Sequence, residues 1–349
     1  MLNNKKKIIT ELDIFYLTYP ENLKITITGT NGKSTTCQML FNIFKSNKKD
    51  VRLVGNIGRP PLVEKGIKNK TIFIIEASSY QISYSKFFRT EYAAILNLSP
   101  DHLERHGNIN QYAKAKLKLI FNQNKNNYSY IENNNQIINK QIKNKKIKSK
   151  LKKINYTKEI FFKKKIKNIY LLDKNNLNNI HFVYSICKNF KISDNRIFSS
   201  LNKFKGLKFR KQIIYNKHNL IIINDSKSTT FSSTSGLLCS YKNIYWVVGG
   251  MFKKGDKFFL KKKYYKNIKA YIIGLNKKYF VNQFRNKIKF RYLGNLKKAM
   301  IAIKKEIKND ISLKTILFSP AAASFDQFKN FEDRGFYFNK IVKNIFIKN

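Results

Sequence analysis

The sequence predicts an α/β fold: a central P-loop-type domain on a mostly parallel sheet, followed by a second, Rossmann-like α/β domain. Three observations predict this fold. Short apolar runs alternate with helical stretches, which is typical of βα units. The 349 residues are enough for two domains with sizeable cores. Small and polar residues follow several of the runs, at the strand ends where open α/β sheets bind ligands.

The apolar runs form two series, which we interpret as two sheets. We place the boundary at Gly206, so that residues 20–206 form the central domain and residues 207–349 the second one. A Lys- and Asn-rich tract at residues 122–168 keeps enough aromatic residues in "YSYIENNN" and "KEIFFKK" to predict short strands. We interpret this tract as peripheral structure. The predicted strands are residues 25–28, 51–54, 71–75, 93–98, 220–223, 244–248, 270–273 and 315–318.

The formal net charge of +50 allows two interpretations. One is a nucleic-acid or anionic-membrane partner. The other is compositional drift, because the chain has 61 lysines but only 9 arginines, and Lys, Asn and Ile are the residues that AT-rich coding favours. Specific DNA readers rely mainly on arginine. We therefore favour drift and expect no nucleic-acid partner.

The cysteines and the hydropathy pattern bear on where the chain works. Cys37, Cys187 and Cys239 are far apart and form no C-x-x-C pair, which argues against a disulfide framework or a zinc site and fits a reducing cytoplasm. No run approaches 18 apolar residues, so we expect no membrane span. We expect a cytoplasmic monomer.

The stretch "TITGTNGKSTT" resembles a phosphate-binding loop but departs from the general pattern G-x-x-x-x-G-K-[ST]. Gly32, Lys33 and Ser34 fit that pattern, whereas its first glycine would fall at Ile27, and Gly29 comes two residues late. A helix at residues 35–44 would aim its free N–H groups at a phosphate. Because a Gly-Lys turn can also serve packing alone, both interpretations stay open here.

Other strand ends add candidate ligands. Glu76 ends the third run, and a carboxylate beside a phosphate loop suits Mg²⁺. His102 follows the fourth run, which leaves a structural and a metal-related role open. In the second half, polar residues follow the runs in "NDSKST" and "SPAAASFD". If the two polar edges face each other, they make a ligand cleft between the domains.

Six blocks of sequence together resemble the Mur ligases, the ATP-dependent amide-forming enzymes of peptidoglycan synthesis. The blocks run in family order from residue 24 to the C-terminus. The last block, the tail, is the most specific, and it is similar to the tail of the members that add D-glutamate. "GTNGKST" is similar to G-T-N-G-K-[ST]-[ST], "EASSYQ" to E-L-S-S-F-Q, and "FKGLKFR" to F-x-G-L-x-H-R. The other blocks are "ILNLSPDHLERHG" with "QYAKAK", "INDSKST" and "SPAAASFDQFKNFEDRG".

The resemblance implies roles for particular residues. Lys33, Glu76, His102 and Lys116 would be catalytic, and Lys116 matches the lysine that is carbamylated in the family. Ser34, Glu76, His102 and the Lys116 carbamate would bind two Mg²⁺ ions. ATP would contact Gly29, Thr30, Asn31, Gly32, Lys33, Ser34, Thr35, Asn176, Asn179, Arg210 and Asp225. Lys227, Thr229, Ser324, Phe325 and Phe331 would surround D-glutamate, and Asn56 and Ser78 would lie along the muramoyl-alanine part.

The implied reaction joins D-glutamate to UDP-N-acetylmuramoyl-L-alanine. The alanyl carboxylate would attack the γ-phosphorus of ATP, and the amine of D-glutamate would then displace phosphate from the acyl phosphate. Such phosphoryl transfer needs mainly positioning and charge neutralisation. Closure of the interdomain cleft would join the reactants and exclude water.

The chain also departs from the family pattern. Family members carry an N-terminal uridine-binding domain, and we interpret residues 1–19 as a remnant or linker of it. Either a separate polypeptide supplies uridine binding, or the remaining part holds the substrate weakly, or activity is reduced. Phe209 and Asn175 replace histidines, and Thr230 replaces an asparagine. Another Mur- or folylpolyglutamate-type ligase, a nucleotide-binding remnant and a basic RNA-associated protein stay open as alternatives.

Overall fold

The chain divides into two units in the computed structural model, which describes residues 8–253, 255–308 and 310–347. The division falls between Lys205 and Gly206. Each unit contains one six-stranded sheet with helices packed against it. The predicted α/β fold with two mostly parallel sheets is therefore confirmed.

The sheet of the first unit is parallel throughout, in the order β2-β3-β1-β4-β5-β6. The central strands β1 and β3 are buried along their whole length, as expected when helices cover a parallel sheet on both sides. The phosphate loop leaves the carboxyl end of a central strand. The strands are β1 (Lys24–Thr28), β2 (Val51–Gly55), β3 (Ile72–Glu76), β4 (Tyr92–Ile95), β5 (Tyr128–Glu132) and β6 (Lys150–Ile154).

Two hydrophobic clusters form the core of this unit. One includes side chains from α2, α8 and α9, and the other includes side chains from α1, α3, α5 and α6. The helices are α1 (Glu11–Thr18), α2 (Lys33–Ser46), α3 (Ser79–Tyr84), α4 (Leu103–His106), α5 (Ile109–Phe121), α6 (Gln136–Ile142), α7 (Glu159–Lys165), α8 (Lys174–Asn189) and α9 (Asp194–Asn202), with short 3₁₀ turns at Pro61–Val63 and Ile169–Leu171.

The Lys/Asn-rich tract at residues 122–168 is more regular than its composition indicates. It supplies β5 and β6, which extend the sheet beyond β4, together with α6 and α7. The strand predicted in "KEIFFKK" is wrong, because these residues form α7. There Glu159 and Lys163 form an ion pair of 2.6 Å one helical turn apart, and Phe162 is buried in the core.

The second unit has the sheet order β11-β10-β9-β12-β8-β7, and only β7 runs antiparallel to its neighbour. The two edge strands, β7 and β11, are largely exposed, so no apolar run marks them in the sequence. The strands are β7 (Gln212–Lys217), β8 (Leu220–Asn224), β9 (Ile244–Gly249), β10 (Ile268–Ile273), β11 (Lys289–Gly294) and β12 (Lys314–Phe318). The helices are α10 (Phe231–Ser240), α11 (Lys277–Phe284), α12 (Leu296–Ile307) and α13 (Phe331–Val342), with a 3₁₀ helix at Lys262–Asn267 and a π-helical turn at Lys343–Ile347.

Membrane-spanning capacity can be judged from helix length and hydropathy. Among the helices of the described residues, none is both long enough and apolar enough to cross a bilayer.

Helix α1 is fixed to the first unit by a buried carboxylate. Asp13 Oδ1 accepts hydrogen bonds from the Ser85 hydroxyl and from the backbone N–H groups of Lys86, Phe87 and Phe88, at 2.7 to 3.0 Å. Burial alone would raise the pKa of Asp13, but hydrogen bonds led by that of Ser85 outweigh it and lower the pKa to about 2. Of the segment interpreted as a remnant, residues 1–7 lie outside the described residues, while α1 belongs to the packed core.

We expect Asp13→Ala to lower the free energy of unfolding by about 3 kcal/mol, because four donors lose their common acceptor. Urea unfolding measures this loss. Since the pKa of Asp13 is depressed in the folded state, its contribution is present above about pH 4 and lost as the pH falls toward 2. Glu11→Ala, an exposed acid on the same helix, is the control and should change stability little. Equal stability of Asp13→Ala and wild type at pH 7 would contradict this account.

Candidate functional site

The phosphate loop joins β1 to α2 through a turn that needs glycine. Gly29 and Gly32 have φ angles of +149° and +84°, in the region that side chains disfavour. A Cβ at Gly32 would also overlap the amide group of Asn179, so α8 lies directly against the loop. Asn176, one turn earlier in α8, bonds near the start of that helix: it donates to Tyr170 O and to the Asp173 carboxylate.

The N-terminus of α2 presents the residues expected to bind phosphate. Ser34 and Thr35, in its first turn, are buried. Lys33 folds back over the loop, where its Nζ donates to Gly29 O at 2.9 Å and Thr30 O at 2.8 Å. The free N–H groups of this helix end favour an anion.

Asn97 clamps the loop from the neighbouring strand end. Its Oδ1 accepts from Asn31 N at 2.8 Å, its Nδ2 donates to Asn31 O at 3.1 Å, and its backbone O accepts from Thr30 N at 2.9 Å. Tyr112 adds a hydroxyl contact of 3.2 Å to Thr30 Oγ1. These contacts fix the loop conformation without using the N–H groups of α2.

Lys116 is buried beneath the same loop. Its Nζ donates to Thr28 Oγ1 at 3.1 Å and to Gly29 O at 3.0 Å, and only 2% of the residue is exposed. Burial, with the nearby Lys33 charge, lowers the pKa of Lys116 well below its ordinary value. The structure thus provides a desolvated amine that loses its proton easily.

Glu76 supplies an unpaired carboxylate oxygen at the end of β3. Its Oε1 accepts from Asn56 Nδ2 at 3.0 Å, whereas its buried Oε2 has no hydrogen-bond partner. The pairing of Ile27 with Glu76 places this carboxylate beside the strand that leads into the loop. A buried oxygen with no donor suits a divalent cation or a cation-bound water.

A second polar group follows β4. His102 is half-exposed, has a φ of +52°, and bonds through Nδ1 to the Tyr80 hydroxyl at 2.9 Å. Its Nε2 lies 3.4 Å from Asp101 Oδ2. Ser78 caps α3, accepting from Gln81 N.

The residues described above fit a divalent cation in donor type, but they do not form a complete protein cage. Among the described residues, no three His, Cys, Asp or Glu side chains are grouped as a metal site. A cation here would need the Ser34 hydroxyl, a lysine carbamate or phosphate oxygens in addition to Glu76 and His102.

In the second unit, Asp225 lies at the carboxyl end of β8. Its Oδ1 accepts from Lys211 N at 3.0 Å and its Oδ2 from Ser319 Oγ at 2.7 Å. Burial raises the pKa of Asp225 to about 6. Arg210 directly precedes Lys211. Phe209, which replaces the family histidine, packs its ring against Phe336 at a centroid distance of 4.8 Å.

The predicted D-glutamate residues lie around the same sheet edge. Lys227 Nζ is 3.6 Å from the centre of the Phe331 ring, a cation–π contact. Thr229 and Phe325 are exposed, whereas Ser324 is buried and its backbone O accepts from Phe328 N at 2.9 Å. Of the five residues, Lys227 and Phe331 are in direct contact.

Several residues at these sites were not predicted as functional. Asn97, Tyr112 and Tyr80 contact the loop or His102, and all three lie within the matched family blocks. Buried Arg334 donates to Ser226 Oγ, Ser226 O and Ala322 O, while its Nη1 has no partner. The sequence signal that could have identified Arg334 is its position in the tail block at residues 319–335.

Comparison with known proteins gives the class of protein. The family model described as "Mur ligase middle domain" matches residues 27–196. The solved structure of MurF ligase from Thermotoga maritima in complex with ADP matches with a TM-score of 0.69 at 16% identity, covering 95% of this chain and 83% of that one. MurF from Acinetobacter baumannii matches with a TM-score of 0.67 at 14% identity, covering 94% of this chain and 79% of that one.

Curated relatives narrow the similarity further. The UDP-N-acetylmuramoylalanine–D-glutamate ligase of Rickettsia prowazekii is 34% identical, covering 96% of this chain and 79% of its own length. The enzyme of the same name from Francisella tularensis subsp. novicida is 35% identical, and the match covers 98% of this chain and 81% of that enzyme.

The chain belongs to the Mur ligase family, and it is an ATP-dependent, amide-bond-forming ligase of peptidoglycan synthesis. Within that family, its similarity is to the branch whose curated members are named UDP-N-acetylmuramoylalanine–D-glutamate ligase.

We expect Asn97→Ala to weaken ADP binding about 10-fold, or about 1.4 kcal/mol, because the loop loses both side-chain bonds to Asn31. Calorimetric titration of ADP into the purified chain measures the change. The control is Asn110→Ala, which removes an exposed amide that bonds Gln141. Unchanged ADP affinity in Asn97→Ala would show that the loop keeps its conformation without this clamp.

Proposed function

We propose that the chain joins the amine of D-glutamate to the alanyl carboxylate of UDP-N-acetylmuramoyl-L-alanine, with an acyl phosphate as intermediate. The observation that carries the proposal is the convergence of Lys33 and Lys116 on the carbonyl oxygen of Gly29, within the phosphate loop. The names of the curated relatives and the tail block at residues 319–335 support the choice of substrates.

Lys33 and the N-terminus of α2 would hold the ATP phosphates. On ATP binding, the Lys33 ammonium would exchange its bonds to loop carbonyls for bonds to phosphate oxygens, so that positive charge accompanies the transferred phosphoryl group. Asn179, which lies against Gly32, and Asn176 would face the adenine side. In the second unit, Arg210 and Asp225 would contact ATP.

Lys116 would act as a carbamate. Its neutral amine would attack CO₂, forming an N–C bond and releasing one proton, which turns a potential cation into an anion. Ser34, Glu76, His102 and this carbamate are the residues that would hold two divalent cations. Such cations, when bound, neutralise the charge that develops on the phosphoryl oxygens.

The substrates would be positioned by residues at the strand ends. Asn56 and Ser78 would lie along the muramoyl-alanine part, while Lys227, Thr229, Ser324, Phe325 and Phe331 would surround D-glutamate. Lys227 supplies the positive charge that a carboxylate of D-glutamate needs, and Phe331 fixes the position of that charge. The alanyl carboxylate would attack the γ-phosphorus of ATP, and the D-glutamate amine would displace phosphate from the acyl carbon.

We expect the purified chain to release phosphate from ATP only when both UDP-N-acetylmuramoyl-L-alanine and D-glutamate are present. Lys33→Ala should lower turnover by about 100-fold or more, because the main charge near the transferred phosphoryl group is lost. A coupled phosphate assay measures both effects. Lys45→Ala, an exposed lysine later in α2, is the control and should retain activity. Equal release with and without D-glutamate would sink the proposed substrate pair.

We expect ¹³C NMR of the chain in ¹³C-bicarbonate to show a carbamate signal at neutral pH that is absent in Lys116→Ala. Because carbamylation needs the neutral amine and burial lowers the pKa of Lys116, the signal should persist at neutral pH and fade on acidification. Lys114→Ala, an exposed lysine on the same helix, should keep the signal. Full turnover by Lys116→Ala would refute the carbamate role.

A further inference from the structure

Tyr80 lies between two imidazole rings at the end of β3. Its hydroxyl is 2.9 Å from His102 Nδ1, and the two rings meet at a centroid distance of 5.1 Å. On its other side, Tyr80 stacks on His106 at 5.6 Å with an interplanar angle of 13°. The Tyr80 ring is therefore held in place by contacts other than its bond to His102.

His106 is itself fixed to the same edge of the sheet. Its Nε2 is 3.0 Å from Ser79 Oγ, and its ring meets Tyr112 edge-on at 5.4 Å. Tyr112 in turn contacts Thr30 of the phosphate loop. The position of the Tyr80 hydroxyl is thus tied to the position of the loop.

His102, by contrast, has little rigid support of its own. It is half-exposed, and its Nδ1 is 3.6 Å from Glu104 Oε1, beyond hydrogen-bond distance. The Tyr80 hydroxyl bonds one ring nitrogen, so the other, Nε2, faces Asp101 Oδ2 at 3.4 Å. The family pattern E-L-S-S-F-Q has phenylalanine at position 80, which could stack but could not make this bond.

We propose that Tyr80 is a positioning residue that holds His102 with Nδ1 on its hydroxyl and Nε2 directed toward the Asp101 carboxylate, where Nε2 would coordinate a divalent cation. An imidazole that binds a metal through Nε2 has its proton on Nδ1 and needs an acceptor there, which the Tyr80 oxygen provides. This inference rests on the proposed function to the extent that His102 is taken as a metal ligand.

The test uses Mn²⁺ as the probe and the full chain with ¹⁵N-labelled histidine, in bicarbonate buffer. The chain has only four histidines, so the His102 signals can be assigned by comparison with His102→Gln. In wild type, Mn²⁺ should broaden Nε2 of His102 at lower concentrations than Nδ1. In Tyr80→Phe, this difference should disappear, and Mn²⁺ affinity measured by electron paramagnetic resonance should fall about 10-fold.

Tyr271→Phe is the matched control, because it removes one hydroxyl that bonds Glu306 at 2.6 Å in the second unit. It should bind Mn²⁺ as wild type does. Broadening of Nδ1 before Nε2, no broadening of His102, or an Mn²⁺ affinity of Tyr80→Phe within twofold of wild type would each overturn the proposal. The phosphate-release assay tests the proposed function separately. If the chain turns over but the Mn²⁺ results contradict the role of Tyr80, the proposed function still stands. If the Mn²⁺ results are as expected but no turnover occurs, the role of Tyr80 still stands.

Discussion

The carbonyl oxygen of Gly29 is the acceptor around which the phosphate-loop end of the first unit is organised. Two lysine amines, those of Lys33 and Lys116, donate to this one oxygen at 2.9 and 3.0 Å. Two ammonium groups that share one acceptor oxygen repel each other, and burial strengthens the repulsion. Lys33 is only partly buried, whereas Lys116 is almost fully buried, so burial and the nearby Lys33 charge lower the pKa of Lys116 well below its ordinary value.

In each unit, one buried charged group near the carboxyl ends of the strands has an atom without a hydrogen-bond partner. Among the described residues, four buried side-chain atoms have no hydrogen-bond partner, and the two that belong to charged groups are Glu76 Oε2 and Arg334 Nη1. A buried polar atom without a hydrogen-bond partner costs about 1–3 kcal/mol or more. Both groups lie near the carboxyl ends of strands, where α/β sheets bind ligands. Both incompletely satisfied charged groups thus lie where a ligand could complete their hydrogen bonds.

How far the sequence predicts this structure depends on the range of the contacts involved. The buried strands and the loop could be read directly, because hydrophobic runs and the Gly-Lys-Ser turn are local signals. Lys116 could be singled out only through the family resemblance, since a lysine in a lysine-rich helix carries no sign of its burial. Asn97 meets Asn31 across 66 residues of sequence, and only the pairing of β1 with β4 brings them together. Strand β6 was missed because its sequence, "KLKKI", is mostly lysine, so its apolar alternation is weak at an exposed edge.

The extreme net charge is compatible with specific buried acids for one physical reason. Substitutions that keep a side chain in water usually change stability by less than about 0.5 kcal/mol, so a lysine-rich composition can accumulate on exposed helices and edge strands with little penalty. A buried position has no such freedom, because an unpaired ammonium there loses its hydration. Asp13, Glu76 and Asp225 are all buried acids that accept specific hydrogen bonds. A lysine at any of them would leave donors facing a cation. Buried acids at the helix anchor and at the strand ends therefore tolerate lysine much less well than exposed positions do.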